Sequence, residues 1–461
     1  GLEAIEDSPQ CVILAGEVPD DFRYIDRARA VEGLHYSNTQ PETPDSRTLL
    51  KRMRTAAREA LGGDPDLWHI HNHSLGKNSA MPGVVAELAE AGEPVLLQMH
   101  DFAEDGRPEN YRLNQERAEY ASDLYPDMGN VHYGVLNARD YEIFQRTGLD
   151  EARLHLLPNP VEANRPEGKT ETAPILESLG AERLFLYPVR AVRRKNFGEM
   201  LLWAALAEKG DVFATTLGPT NRNYQAAYED WRAFAKKHQL PVRFGIGERD
   251  DWSFEAIMQA AHAILSTSIA EGFGLAFLEP WLFGKPIVGR DLPAITADFK
   301  TNGIQLNRLY QSVPVPADWI DIGQVKSTIR EGLTTAYQAY GRALPDDAVD
   351  RAMAAIRPTP DHIDFAGLNE ALQQGVIERV LANPNAASEL PRLGTLADAG
   401  SIQNNARKIA QTYSLPRYAE NLTAVYNAIR SSDVSPAPQY IDPAKVLDAF
   451  LKPERFRLLR T

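Results

Sequence analysis

The chain has 461 residues and a single cysteine, Cys11. One cysteine excludes an internal disulfide framework and suits a reducing cytosol. Cys11 lies in the apolar run Cys11-Val12-Ile13-Leu14-Ala15, where a buried, inert thiol is expected. No apolar stretch approaches the roughly 18 residues of a transmembrane helix, and no signal peptide is visible. A stable membrane span is therefore not expected, and a cytoplasmic location is. Positive charge is in deficit, with 49 Lys and Arg against 63 Asp and Glu, for a net charge of -14. That argues against a nucleic-acid backbone or an anionic membrane as main partner. The remaining composition, 43% hydrophobic and 24% charged, is that of an ordinary globular protein. The length allows two or three domains with ample core.

Short apolar runs alternate with longer amphipathic stretches. That rhythm predicts α/β architecture with parallel sheets built from βαβ units. Strands are expected at 11–15, 67–71, 95–99, 131–136 and 154–157, with helices over 47–61, 82–91 and 138–147. The best linker is the segment 162–172, rich in Pro, Glu and Thr, which follows Pro158-Asn159-Pro160-Val161. A second series of strands is expected at 184–189, 212–217, 242–245, 263–266 and 286–289. The reading is two Rossmann-like, doubly wound halves facing a cleft: an N-terminal domain over 1–161 and a C-terminal domain over 174–415. Residues 302–357 fit the rhythm poorly and suggest an insertion. Helices over 368–381, 401–413 and 416–431 give a helical C-terminal region. The segment 416–461 would close the fold and return to the N-terminal domain. The helix over 47–61 carries Lys51, Arg52, Arg54 and Arg58 on an amphipathic frame; a solvated basic face is expected there rather than a membrane contact.

The most informative motif is Glu271-Gly272-Phe273-Gly274-Leu275-Ala276-Phe277-Leu278-Glu279. It follows the apolar strand Ala263-Ile264-Leu265-Ser266 and opens a helix-like segment. In open α/β sheets, ligands bind at this end of the strands. Glycines let backbone N–H groups approach an anion, and a helix N-terminus adds partial positive charge. Two carboxylates repel phosphate but accept hydrogen bonds from hydroxyls. A nucleotide sugar offers diphosphate, ribose diol and sugar hydroxyls together. Arg190 and Lys195 end the strand at 184–189 and could clamp a diphosphate from both sides.

These residues resemble retaining glycosyltransferases of the GT-B fold with a Glu-x7-Glu motif, glycosyltransferase family 4 type. That family includes sucrose-phosphate synthase, bacterial glycogen synthase relatives and phosphatidylinositol mannosyltransferases. The matching pieces are Arg190-x4-Lys195, Val242-Arg243-Phe244-Gly245, Ser266-Thr267-Ser268, Glu271 with Glu279, and Asn405-Ala406-Arg407-Lys408-Ile409 with Tyr413-Ser414. The resemblance covers residues 131–429 apart from about 302–357. It implies a hexosyl transfer from a GDP- or UDP-linked donor to a hydroxylated acceptor: a sugar, a sugar acid or a glycolipid. It implies no required cofactor or metal. Glu271 would face donor sugar hydroxyls and Glu279 the ribose. Arg190 and Lys195 would neutralise the leaving diphosphate. Amides at Gly272, Phe273, Gly274 and Leu275 would meet sugar and phosphate, and the base would sit near Gly218 and residues 244–247, Gly245 among them. His100, after the strand at 95–99, resembles the family histidine that reaches the donor sugar. Gly16 stands where relatives commonly have two glycines. Pro280 follows Glu279 where the family usually has alanine, so the helix either starts late or kinks.

In His69-Ile70-His71-Asn72-His73, strand alternation puts the three histidines on one face. One reading is a metal site for a hydrolase, since imidazoles suit zinc. The other has Asn72, His73, Lys77 and Asn78 lining an acceptor pocket, with Asp101 nearby. Asp101, Glu104 and Asp105 favour a hydroxyl-rich acceptor, while Lys77 and Arg107 favour an anionic one. A non-catalytic module that binds a nucleotide sugar is a third reading.

Overall fold

A computed structural model describes residues 9–460 apart from 41, 117–122, 163–170, 250, 395 and 435–436. Residues 163–170 of the expected linker thus lie outside the described residues. The chain is α/β and divides into two compact units. Unit 1 holds residues 1–160, 336–343 and 415–452. Unit 2 holds residues 161–335, 344–414 and 453–461.

Unit 1 contains strands β1 (Ile13–Ala15), β2 (Ala28–Ala30), β3 (Trp68–His71), β4 (Val95–Met99), β5 (Val131–Val135) and β6 (Leu154–Leu156). Strands β3, β4, β5 and β6 form a parallel sheet in that order, and β1 pairs with β2 in a separate parallel pair. The expected strand at 11–15 is therefore shorter. Cys11 precedes it and is only partly buried, which raises its thiol pKa. Strands β4 and β5 are buried along their whole length, as strands covered on both faces require. Helix Ser46–Leu61 begins at the Asp45 cap, which accepts from Thr48 N, and stops at Gly62 with φ 78°. It buries Leu49, Leu50, Met53 and Ala57, while Arg54 pairs with Glu93 and Arg58 with Asp64. Helix Leu415–Arg430 packs Leu422, Val425 and Ile429 on Leu96 and Leu157. Helix Pro443–Phe450 adds Val446 and Phe450 to the main core of the unit. Each such fully buried side chain contributes about 1.5–3 kcal/mol.

Unit 2 contains β7 (Arg183–Arg190), β8 (Asp211–Leu217), β9 (Val242–Arg243), β10 (Ala263–Ser266), β11 (Ile287–Arg290) and β12 (Leu309–Tyr310). They form one sheet in the order β12-β11-β10-β7-β8-β9, with every pairing parallel. Residues 302–357, read as an insertion, supply its edge strand β12 and also β13 (Pro314–Pro316). Strand β13 pairs antiparallel with β14 (His362–Asp364). The β7–β8 register shifts between Tyr187 and Arg190, where Pro188 lacks an N–H for the ladder. After β7 the chain lays down β8 and β9 on one side, then crosses to place β10 on the other. The direction of winding reverses between β7 and β10, which is where such sheets bind ligands.

No helix among the described residues is long and apolar enough to cross a membrane.

Candidate functional site

The two strands at the reversal carry the candidate site of unit 2. Strand β10 leads into Thr267, Ser268 and Glu271; β7 leads into the basic turn Arg193–Lys195. Backbone and side chains zip the two loops together. Thr267 Oγ1 donates to the Lys195 and Asn196 carbonyls at 3.0 and 3.1 Å. Ile269 N donates to the Arg194 carbonyl at 2.9 Å. Tyr187 Oη donates to the Lys195 carbonyl at 3.0 Å. Asn196 turns the chain with φ 52°, a left-handed conformation that asparagine tolerates.

This framing converges three charges. Lys195 Nζ lies 2.5 Å from Glu271 Oε1, and Arg194 Nη1 lies 2.9 Å from Glu271 Oε2. The Lys195 and Glu271 side chains are 11% and 9% exposed. Burial pulls the Glu271 carboxyl upward, but Lys195 and Arg194 outweigh it and leave its pKa below the ordinary value. Burial lowers the Lys195 pKa; Glu271 opposes that and Arg194 adds to it. Arg190 is exposed and reaches Thr220 Oγ1 at 3.2 Å, so Arg194 takes the place beside Glu271. The basic run was visible in the sequence, but which member would turn inward was not. It depends on the Asn196 turn.

Behind the turn lies a buried network that the sequence did not signal. Arg290, on β11, donates to both Glu199 and Asp364, with contacts at 2.5–3.1 Å. Asn196 Nδ2 donates to Glu199 Oε2 at 2.9 Å, which ties the network to the basic turn. Arg290 is 4% and Glu199 0% exposed.

The glycine turn departs from the expected helix start. Gly274 has φ 93°, then comes a short 3-10 turn, Leu275–Phe277, and a one-turn helix, Glu279–Leu282. Pro280 sits in the first turn of that helix, the place where a missing N–H is harmless. The helix therefore starts late. Phe273 packs edge-on against Phe299 and Tyr413, and Leu275 is exposed. Glu279 is half-buried, and burial raises its pKa. Gly218, just past β8, donates its N–H to Glu248 Oε1 at 2.6 Å. Gly245, with φ 68°, lies against the same carboxylate.

In unit 1, His100 stands just past β4. Its N–H and that of Asp101 donate to Asn72 Oδ1 at 2.7 and 3.1 Å. Asn72 holds φ 53°, and this ends β3. The three histidines are consequently not on one face. His69 and His71 stack at 4.4 Å, while His73 turns into the core and hydrogen-bonds the Leu124 carbonyl at 2.7 Å. His69 bonds Tyr426 and Gln98, and His71 bonds His100, each at 2.8 Å. Both ring nitrogens of His69 and one of His71 are thus engaged, and no group of three ligands for a metal ion exists among the described residues. Burial lowers the pKa of His71 to about 3 and those of His69 and His73 to about 4. It lowers that of His100 as well.

Asn78 is buried and donates to the Gly33 and His35 carbonyls at 2.7 Å. Gly16 is required by close packing, since a Cβ there would lie 2.6 Å from the His35 backbone. Lys77 is exposed, 5.4 Å from the Tyr36 ring. Asp101 pairs with Arg107 at 2.6 Å. Glu104 does not face solvent: it is 1% exposed, accepts from Tyr125 Oη at 2.9 Å, and burial pushes its pKa up to about 7. An open basin in unit 1 is lined by Gly16, His69, His71, Asn72, Lys77 and Tyr426, among others.

No family profile matches the chain. A curated relative, the mannosylglucosyl-3-phosphoglycerate synthase of Petrotoga mobilis, is 29% identical over 275 residues. The match takes in 56% of this chain and 53% of the relative, so the chain spans about half the length of the curated relative it matches. Among solved structures, Anabaena HepE in complex with UDP-glucose is similar with a TM-score of 0.46 and 14% identity, over 87% of this chain and 86% of that one. Sucrose-phosphate synthase from Thermosynechococcus elongatus is similar with a TM-score of 0.47 and 15% identity, over 90% of this chain and 87% of that one.

Proposed function

We propose that this protein is a glycosyltransferase that moves a hexose from a nucleotide diphosphate sugar to a hydroxyl acceptor, with retention at the anomeric carbon and without a metal ion. The observation that carries this reading is the convergence of Lys195 and Arg194 on Glu271 at the β7/β10 reversal, over the Gly272–Gly274 turn. An anion arriving there competes with Glu271 for two cations that the fold already holds in place. The diphosphate then takes the cations, with Arg190 at its exposed side, and the Glu271 carboxylate accepts hydroxyls of the donor sugar. Amides of Gly272, Phe273, Gly274 and Leu275 meet sugar and phosphate, and Glu279 meets the ribose. The base lies by Gly218 and Gly245.

The bond between the anomeric carbon and the diphosphate oxygen breaks, and the electron pair leaves with the diphosphate. Lys195 and Arg194 stabilise that charge, a contribution worth about 3–4 kcal/mol for one preorganised donor. The acceptor oxygen bonds to the same carbon from the same face, and its proton passes to a donor phosphate oxygen. His100 serves the donor sugar. Lys77 and Asp101 serve the acceptor, because His73 and Asn78 are committed to holding the backbone. The Petrotoga relative is named for a phosphoglycerate product, so a phosphoglycerate carrying a free sugar hydroxyl is the acceptor to try first.

The test is incubation with GDP-mannose or UDP-glucose and glucosyl-3-phosphoglycerate, in EDTA. Release of nucleoside diphosphate and an α-anomeric product by proton NMR are expected from these α-linked donors. A β-linked product contradicts retention, and loss of turnover in EDTA that added metal restores contradicts metal independence. Binding of the donor with no turnover on a range of sugar and sugar-acid acceptors favours a non-catalytic module instead.

A further inference from the structure

The carboxylate of Glu248 stands where two loops of unit 2 meet. Glu248 ends the short 3-10 turn Ile246–Glu248 that follows β9. Its Oε1 accepts from Gly218 N at 2.6 Å, and Gly218 directly follows the last residue of β8. A Cβ on Gly218 would come within 2.9 Å of Oε1, and a Cβ on Gly245 within 2.7 Å of Oε2. Both glycines leave room for this one side chain. Tyr228 and Phe244, edge to face at 5.6 Å, stand at the same two loops. Among the described residues no cation pairs with the carboxylate. Arg249 stacks on Trp252 at 4.1 Å and pairs with Asp251 at 3.1 Å, and Arg190 reaches Thr220. The Gly218 bond fixes one oxygen and leaves the carboxylate with lone pairs to spare in an exposed position.

We infer that Glu248 is the residue that reads the base of the donor nucleotide, and that the base is guanine. The inference rests on the proposed placement of the base by Gly218 and Gly245. A carboxylate only accepts hydrogen bonds. Guanine presents two neighbouring donors on one edge, N1–H and the N2 amino group, which match the two oxygens of a carboxylate. Uracil presents one N–H between two carbonyl oxygens, and these would face the carboxylate lone pairs. Adenine offers an amino group beside an acceptor nitrogen. Guanine alone among the three pairs both oxygens, and a carboxylate desolvated without partners costs binding energy. A good bidentate pair discriminates between bases by about 1–3 kcal/mol, roughly a tenfold to hundredfold difference in affinity.

The experiment is isothermal titration of GDP, UDP and ADP into the wild-type protein, Glu248→Gln and Lys195→Ala. Glutamine keeps an oxygen for the Gly218 N–H but turns an amino group toward the base. The wild type is expected to bind GDP at least tenfold more tightly than UDP or ADP. Glu248→Gln is expected to lose at least tenfold for GDP while UDP is unchanged or improved. Lys195→Ala should weaken all nucleotides alike. Wild-type binding of UDP as tight as that of GDP overturns the inference, and so does an equal loss for both in Glu248→Gln, which would place the carboxylate at the ribose or phosphates. If Lys195→Ala weakens binding but no base preference exists, the transferase reading survives and only the guanine assignment fails. If no nucleotide binds the wild type, the transferase reading itself fails.

Discussion

Replacing Lys195 by methionine keeps most of its volume and removes its charge. Its Nζ sits 2.5 Å from a Glu271 side chain that is only 9% exposed. Breaking a buried pair by removing one partner costs about 3–5 kcal/mol when nothing replaces it. Here Arg194 remains 2.9 Å from the other oxygen, with a side chain 40% exposed and therefore well screened. A loss of about 2 kcal/mol follows. The loss depends on pH in a defined direction. In the wild type the Glu271 pKa is lowered, so its contribution is present above the ordinary carboxylate range and fades as pH falls through the folded value. Without Lys195, burial regains ground and the pKa rises. The variant can then relieve its strain by taking up a proton in mild acid. Urea denaturation at pH 7.5 and pH 5 should show a deficit that shrinks by about 1 kcal/mol at the lower pH. Adding Glu271→Gln to Lys195→Met should restore most of the stability but not the turnover, which should fall by about 100- to 1,000-fold in both variants. A deficit equal at the two pH values, or a double variant no more stable than the single one, would contradict a stabilising role for the Lys195–Glu271 pair.

Arg290→Met leaves Glu199 and Asp364 unpaired around a buried position, and should lower unfolding stability by about 3–5 kcal/mol in urea titrations. Gly274→Ala forces φ 93° on a residue with a Cβ that would lie 2.7 Å from Ile295 Cγ2. It should cost about 1–3 kcal/mol and weaken nucleotide binding, measured by thermal melting with and without GDP. His69, His71 and His73 have pKa values of about 4, 3 and 4. Their NMR shifts should therefore stay those of neutral imidazoles down to pH 5. As pH drops below about 6.5 the unfolded chain binds protons that these sites refuse, so stability should decline with acid. An imidazole of this group titrating near 6.5 would contradict these lowered values.

Strands β4 and β10 and helix Ala138–Thr147 were legible to the residue because each has an unbroken pattern with clear ends. For the helix, Asn137 caps the start and Gly148 with φ 100° ends it. The Glu271 turn was legible as two glycines after an apolar strand, but the helix expected to open there gives way to a 3-10 turn and a one-turn helix. Legibility failed where geometry rests on single backbone conformations. Asn72 and Asn196 adopt positive φ, and those two residues decide that His73 turns inward and that Arg194 meets Glu271. It failed again at β12, whose two residues, Leu309 and Tyr310, are too few to carry a pattern. The Glu199–Arg290–Asp364 network joins residues far apart in sequence, and no local pattern marks charges that will be buried.

The proposed transfer requires a nucleoside diphosphate at the β7/β10 reversal. A crystal structure with GDP bound tests it most directly. Phosphate oxygens are expected about 2.7–3.1 Å from Lys195 Nζ, with the Glu271 carboxylate released from that nitrogen. A nucleotide seated away from β7 and β10, with the Lys195–Glu271 pair intact, would contradict it.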